Sequence, residues 1–310
     1  MWILNTNGTF HLLFMLLSQP LFQTLIAAIR DIAPDDYNID SITPVSGGDI
    51  NQTYHIQTRL TNYFVKINGS AEATKMFLAE CAGLAQLRRA ADVCVPKTFM
   101  VGQAHGEAFL LMEWLNRSDS PQSPGNMQEL LGRMVAKLHR QQADSYGLDH
   151  DNFIGTLPQT NREMRDWTAF FAIQRLQKQL VLAERNGAPT ALRKQFDCLI
   201  ARLDTLYPHE PPSLLHGDLW SGNYIITTQG QPVLIDPAVY YGNREVDLAM
   251  TKLFGGFTSK FYAAYEEEYP LAPEWEQRVD LWNLYPLLVH FNLFGAAYLG
   301  PIQQSLHRYI

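Results

Sequence analysis

The stretch LLHGDLWSGNYIIT, Leu214 to Thr227, decides how the rest of the chain is read. It places Asp218 five residues before Asn223, between two short apolar runs. A further apolar run, PVLID, ends on Asp236, thirteen residues after Asn223. Any one of these residues fits a turn or a cap, because Asp and Asn bond readily to nearby backbone. The three together, at this spacing and flanked by strand-like runs, fit a catalytic loop followed by a metal-binding carboxylate.

Phosphoryl transfer needs these residue types. Its transition state is loose, with charge spread over oxygens, so catalysis is mostly positioning and charge neutralisation. Asp218 is the candidate that orients an attacking hydroxyl and accepts its proton. Asn223 and Asp236 are hard oxygen ligands suited to Mg²⁺ on the phosphates of ATP.

The upstream half carries matching parts. Lys66 stands in the middle of the apolar run NYFVKIN (62–68), and Glu80 follows fourteen residues later in a helical stretch. At helical spacing Glu80 shares a face with Phe77, Leu84 and Leu87, so it points inward with the apolar stripe. A carboxylate there needs a partner. Lys66 is the natural one, and such a pair holds nucleotide phosphates. Gly47 and Gly48 in VSGGDINQT are the candidate phosphate turn, although a Gly-Gly pair also fits a plain hairpin. MEWL (112–115) ends the last strand-like run of this half, where main-chain groups would meet adenine.

The layout is a small sheet lobe followed by a helical lobe. A helix fits 18–32, two strands fit SITPVSGGDINQTYHIQT (41–58) with their joint at Gly47-Gly48, and a third is NYFVKIN. A helix over 71–91 and the strands TFMVG and EAFLLMEWL follow. The rest reads as helices at 126–142 and 167–185, a polar loop between them, the short strands SLLH, YIIT and PVLID, and helices to the end. The predicted fold is α+β and kinase-like, with a nucleotide-binding lobe over 1–115 and a catalytic and substrate-binding lobe over 116–310.

Composition narrows the function. Of 310 residues, 46% are hydrophobic and 18% charged, which suits a full core, and the net charge is -7. An acidic chain without basic runs is unsuited to nucleic acid or to anionic membranes. Three scattered cysteines, Cys81, Cys94 and Cys198, form no C-x-x-C pair and fit a reducing cytoplasm. The apolar start HLLFMLL lacks a basic n-region, since no Lys or Arg precedes Arg30. A helix starting near Ser18 with Pro20 in its first turn is expected instead. Within the 1–115 lobe, residues 1–17 are read as a disordered extension or one due to a misplaced start, and Met15 is a candidate natural start; intact mass tests that. No His/Cys cluster suggests zinc, and no G-x-S-x-G elbow suggests a hydrolase.

Together, SLLHGDLWSGN, IDPAVYYGNREVDLAM, FVKIN with AECAGL, MEWL and DNFIGTLPQTN resemble the fructosamine kinase (ketosamine-3-kinase) family, over nearly the whole chain after about residue 18. The resemblance implies a protein-kinase-like two-lobe fold and ATP-dependent phosphorylation of a ketosamine sugar hydroxyl. The phosphorylated adduct falls apart, so the implied role is deglycation of amines or proteins. By position, Asp218 is the proton acceptor, Glu113, Trp114 and Leu115 meet adenine, Lys66 and Glu80 serve the phosphates, and Asn223 and Asp236 hold the metal. Some eukaryotic members carry a redox-switching cysteine in the phosphate loop; SGGDIN has none, so that control is not expected.

Substrate contacts follow from chemistry. Trp220 is the candidate to stack on the sugar, and Tyr240 and Tyr241 are candidates to line the same cleft. Arg244, Glu245 and Asp247 are read as a structural cluster anchoring the loop. His216 is read as bracing the loop, and His139 as a satisfied helix histidine. A monomer is expected. The alternatives are a kinase of another hydroxylated amine, such as choline or an aminoglycoside, and a catalytically dead nucleotide-binding scaffold.

Overall fold

The computed structural model describes residues 17–46, 50–90, 93–118 and 124–310. The Gly47-Gly48 turn and the extension up to Met15 therefore lie outside the described residues. The chain divides into two compact units. The first takes in the residues up to Cys81 with Pro96–Leu115, and the second takes in Ala82–Val95 with Asn116–Ile310.

The first unit is a five-stranded antiparallel sheet in the order β1-β2-β3-β5-β4. Its strands are β1 (Ile39–Pro44), β2 (Gln52–Thr58), β3 (Asn62–Asn68), β4 (Thr98–Ala104) and β5 (Glu107–Glu113). Alternation splits β3 cleanly, as the two-residue strand period requires. Tyr63, Val65 and Ile67 face a core completed by Leu21, Phe22, Leu25 and Ile29 of helix α1 (Gln19–Ile32). Phe64 and Lys66 take the opposite face. Ser18 precedes α1 and Pro20 lies in its first turn, where a missing N–H costs nothing. Helix α2 (Ala73–Arg89) starts in this unit. Phe77, Leu84 and Leu87 are fully buried on it, and Glu80 shares their stripe at half burial.

The second unit is mainly helical. It comprises α3 (Pro124–His139), α4 (Trp167–Phe170), α5 (Lys178–Arg185), α6 (Thr190–Ile200), α7 (Glu245–Leu253), α8 (Ser259–Glu268), α9 (Val279–Phe294) and α10 (Leu299–Leu306). Three short antiparallel pairs accompany them: β6 (Asn152–Ile154) with β7 (Leu157–Gln159), β8 (Ser213–Leu215) with β11 (Tyr240–Gly242), and β9 (Tyr224–Ile226) with β10 (Pro232–Leu234). Its core is aromatic: Trp167 stacks on Phe170 and Phe171, and Trp282 packs edge-on to Phe171.

The helix predicted over 167–185 is continuous, but its middle, Phe171–Gln177, is wound as a π-helix. The extra residue per turn turns Arg175 fully inward. The loop expected between the two long helices contains the β6–β7 hairpin. β11, in the segment after Asp236, was also not expected. Asp236 lies two residues beyond β10 instead of ending a strand, and its φ is +54°.

Candidate active site

In the first unit, Lys66 Nζ lies 2.8 Å from Glu80 Oε1, with side-chain exposures of 6% and 13%. Strand β3 aims Lys66 away from the α1 core, and the inward stripe of α2 brings Glu80 to it. The expected pair is thus formed. Glu113, at the end of β5, is exposed and bonds Lys97 twice: its N–H donates to the Lys97 carbonyl, and its carboxylate accepts from the Lys97 N–H. Trp114 stacks on His55 with centroids 3.8 Å apart, and its neighbour Leu115 is half-buried.

In the second unit, β8 ends at Leu215 and the chain turns through His216 and Gly217 into Asp218. Gly217 has φ +83°, and a Cβ there would lie 2.0 Å from the Ala238 carbonyl oxygen, so no other residue fits. Asp247, fully buried on α7, holds this turn. Its Oδ2 accepts from the His216 N–H at 2.7 Å and its Oδ1 from the Gly217 N–H at 2.9 Å. His139 Nε2, 3.1 Å from Oδ2, completes the set. His139 Nδ1 in turn meets the Tyr265 hydroxyl at 2.8 Å.

His216 ties the loop to the segment carrying Asp236. Its Nε2 donates to the Ile235 carbonyl, its Nδ1 accepts from the Asp218 N–H, and its own carbonyl accepts from the Ala238 N–H. Burial pushes its pKa down, which keeps it neutral and suits a bracing role. Asn223 closes the loop: its Nδ2 donates to the Asp218 carbonyl and to Asp218 Oδ2, both at 2.8 Å. That leaves Asn223 Oδ1 as the amide atom with acceptor capacity for a cation. Burial, above all, and the nearby Asp236 and Asp247 carboxylates push Asp218 up to about 7, while the Asn223 bond pulls it back.

The described residues hold no group of three or more His, Cys, Asp or Glu able to bind a metal alone. An amide oxygen with a carboxylate instead suits Mg²⁺ shared with phosphates, since Mg²⁺ takes few protein ligands. The residue types therefore fit the expected ion.

Trp220 is 37% exposed beside Asp218. Tyr241 is half-buried and bonds Gly147 through its backbone. Tyr240 is fully buried, stacked on Phe170 with the Arg175 guanidinium 3.9 Å over its ring. It faces the core and braces the site, which corrects its expected place against substrate; strand alternation on β11 sends it inward and Tyr241 outward.

Sequence reasoning missed the amides that hold the segment after Asp236. Asn152 donates to the Val239 carbonyl and Gln159 to the Ala238 carbonyl. Gln159 also donates to Asn152 and accepts from the Tyr285 hydroxyl. Arg175 bonds Asn161 and the Thr160 carbonyl. The polar character of DNFIGTLPQTN was the available signal. Of the charged cluster, Arg244 pairs with Glu210 and Glu245 with Arg278, so only Asp247 touches the loop directly.

A sheet unit with a buried Lys–Glu pair, and a helical unit with this Asp–Asn loop and following Asp, define the α+β fold of the protein-kinase-like phosphotransferases. A solved structure from Haemophilus somnus 129PT, described as a putative fructosamine-3-kinase, superposes with TM-score 0.81 at 29% identity, covering 93% of this chain and 99% of its own. The fructosamine kinase profile matches residues 21–310. A probable ketoamine kinase of Enterococcus faecium is 42% identical over 86% of this chain and 95% of its own. The chloroplastic protein-ribulosamine 3-kinase of Arabidopsis thaliana is 36% identical over 88% and 83%. The chain belongs to the fructosamine kinase family, and membership of a kinase family carries the use of ATP. No helix among the described residues is long and apolar enough to cross a membrane.

Proposed function

We propose that this protein transfers the γ-phosphoryl group of ATP to a sugar hydroxyl of a ketosamine, a fructosamine or ribulosamine adduct of an amine or a protein, and so leads to deglycation. The names of its relatives support the substrate class. The observation that carries the chemistry is the pair of hydrogen bonds that Asn223 Nδ2 donates to the Asp218 carbonyl and carboxylate, which fixes the carboxylate and leaves the amide oxygen for a cation.

Asp218 takes the proton of the attacking hydroxyl. The new bond forms between that oxygen and the γ-phosphorus, the bond to the bridging oxygen breaks, and its electron pair leaves with ADP. Mg²⁺, when bound, neutralises charge on the phosphates, and Asn223 and Asp236 are the residues that would hold it. Lys66, oriented by Glu80, meets the phosphates in the first unit, and Gly47 and Gly48 are assigned there on sequence grounds. Glu113, Trp114 and Leu115 take adenine. Trp220 and Tyr241 meet the sugar; Tyr240, with no exposed surface, is left out of that set. The nucleotide-binding lobe is assigned to 1–115 and the catalytic lobe to 116–310. A cytoplasmic monomer is the proposed state.

The test is Mg²⁺-dependent ATP consumption with fructose-, ribulose- and erythrulose-amine adducts, with choline and an aminoglycoside as controls. Asp218→Asn serves as the blank, losing turnover while keeping ATP affinity. Turnover on a control alone moves the enzyme to another hydroxylated amine, and ATP binding without any turnover makes it a scaffold.

A further inference from the structure

Beside Asp218 the second unit carries a strip of rings of which the reading above uses only the first, Trp220, against the sugar. Trp220 lies edge-on to Phe254 with centroids 6.0 Å apart, and its ring covers Gly222, where a Cβ would come within 2.3 Å of it. Phe254 tilts against His290 at 4.9 Å. His290 continues to Phe294 at 5.6 Å and Tyr298 at 5.1 Å. At its other side, His290 shares with Asp218 and Tyr285 the lining of one pocket. The strip is thus continuous with the site. It is also open: Trp220, Phe254 and Phe294 are 37%, 42% and 51% exposed.

Other aromatic rings of this unit are capped by cations. Lys252 lies over Tyr262 and Trp275, and Arg140 and Arg244 lie over Tyr269. Among the described residues, no Lys or Arg lies over Trp220, Phe254, Phe294 or Tyr298. These are ring faces with room for a cation that the chain does not supply. His290 adds no charge against one: its Nδ1 donates to the Pro286 carbonyl, and burial lowers its pKa.

Substrate chemistry provides such a cation. In a ketosamine the ammonium is only a few bonds from the sugar hydroxyls, so a hydroxyl held at Asp218 places the amine substituent on surface next to Asp218. We propose that the strip Trp220, Phe254, His290, Phe294 and Tyr298 receives the amine-bearing half of the ketosamine, an ammonium continued by an aliphatic chain such as a lysine side chain, and so selects long or peptide-borne amine adducts over short ones. This rests on the ketosamine reading above.

One ketose on three amines tests it: methylamine, the ε-amine of free lysine, and a lysine within a short peptide. The wild-type KM is expected to fall about tenfold or more from methylamine to the lysine adducts, at similar kcat. Phe294→Ala, at an exposed position, reduces that preference by about three- to tenfold, and Phe294→Tyr restores it. Phe294→Leu separates ring face from apolar area; only partial recovery is expected. Wild-type turnover with equal KM on all three adducts overturns the strip and leaves the ketosamine reading standing. Absence of turnover on every adduct overturns the ketosamine reading itself. A Phe294→Ala protein with unchanged preference but altered sedimentation makes the strip an interface between copies and also overturns the proposal.

Discussion

Asp247→Asn tests how much of the site hangs from one buried carboxylate. Three donors converge on it: the N–H groups of His216 and Gly217, and His139 Nε2. An asparagine has one oxygen and an NH₂. With the oxygen in the Oδ2 position it still serves His216 and His139, but the NH₂ then faces the Gly217 N–H. One backbone donor loses its partner, costing about 1–3 kcal/mol, and the two surviving bonds drop from charged to neutral strength, about 1 kcal/mol each. The total is about 3–5 kcal/mol, or roughly 10 °C in Tm for a unit of this size. Gly217 immediately precedes Asp218, so a shift of about 1 Å there costs on the order of 100-fold in kcat. Thermal unfolding by circular dichroism and steady-state turnover are the assays. A Tm within about 2 °C of wild type together with kcat within about threefold would refute the reasoning, because it would mean the loop is held by something else.

Gly217→Ala should abolish turnover and lower stability together, since the added methyl meets the Ala238 carbonyl at 2.0 Å and φ is +83°; activity above a tenth of wild type counts against the geometry. At Asp236, with φ +54°, the glycine variant should be about 1 kcal/mol more stable than the alanine variant, because glycine relieves the left-handed strain. Both lose Mg²⁺-dependent nucleotide binding, and equal denaturation midpoints would refute the strain. For pH, kcat/KM measured with Mg²⁺ should fall with unit slope on acidification, since only the ionised carboxylate accepts a proton, and its midpoint should lie below the metal-free Asp218 pKa of about 7, because a nearby cation favours the ionised form. The same raised pKa acts oppositely on folding. Its stabilising contribution is complete below the unfolded carboxyl pKa and is lost as pH rises through about 7, so the free protein should gain stability from this group on acidification between those limits. Opposite slopes in either titration would reassign the group.

Much of the site was legible because its chemistry sits in short strings. Asp218, Asn223 and Asp236 lie within one stretch, and their partners are mostly in that stretch too. Lys66 and Glu80 were legible because period-two and period-3.6 patterns fix which way each points. What stayed hidden depends on contacts distant in sequence. Asn152 and Gln159 read as loop residues because the carbonyls they hold, on Ala238 and Val239, lie about 80 residues away. The π-helical turn at Phe171–Gln177 keeps an apolar pattern indistinguishable from an α-helix, so the inward turn of Arg175 left no mark. Tyr240 and Tyr241 are adjacent and chemically equal, and only the pairing of β11 with β8 separates core from surface.

The segment between Asp236 and α7 has a further meaning. In protein kinases the corresponding stretch is a long loop that phosphorylation orders, and its disorder silences the enzyme. Here eight residues span the interval, and nearly every one is tied down: Ala238 and Val239 by side-chain amides, Tyr240 to Gly242 by strand pairing. The chain has no slack there to store a resting state. Switching by ordering of this segment is therefore not available to the fold, and the geometry of the stretch is set before any substrate arrives.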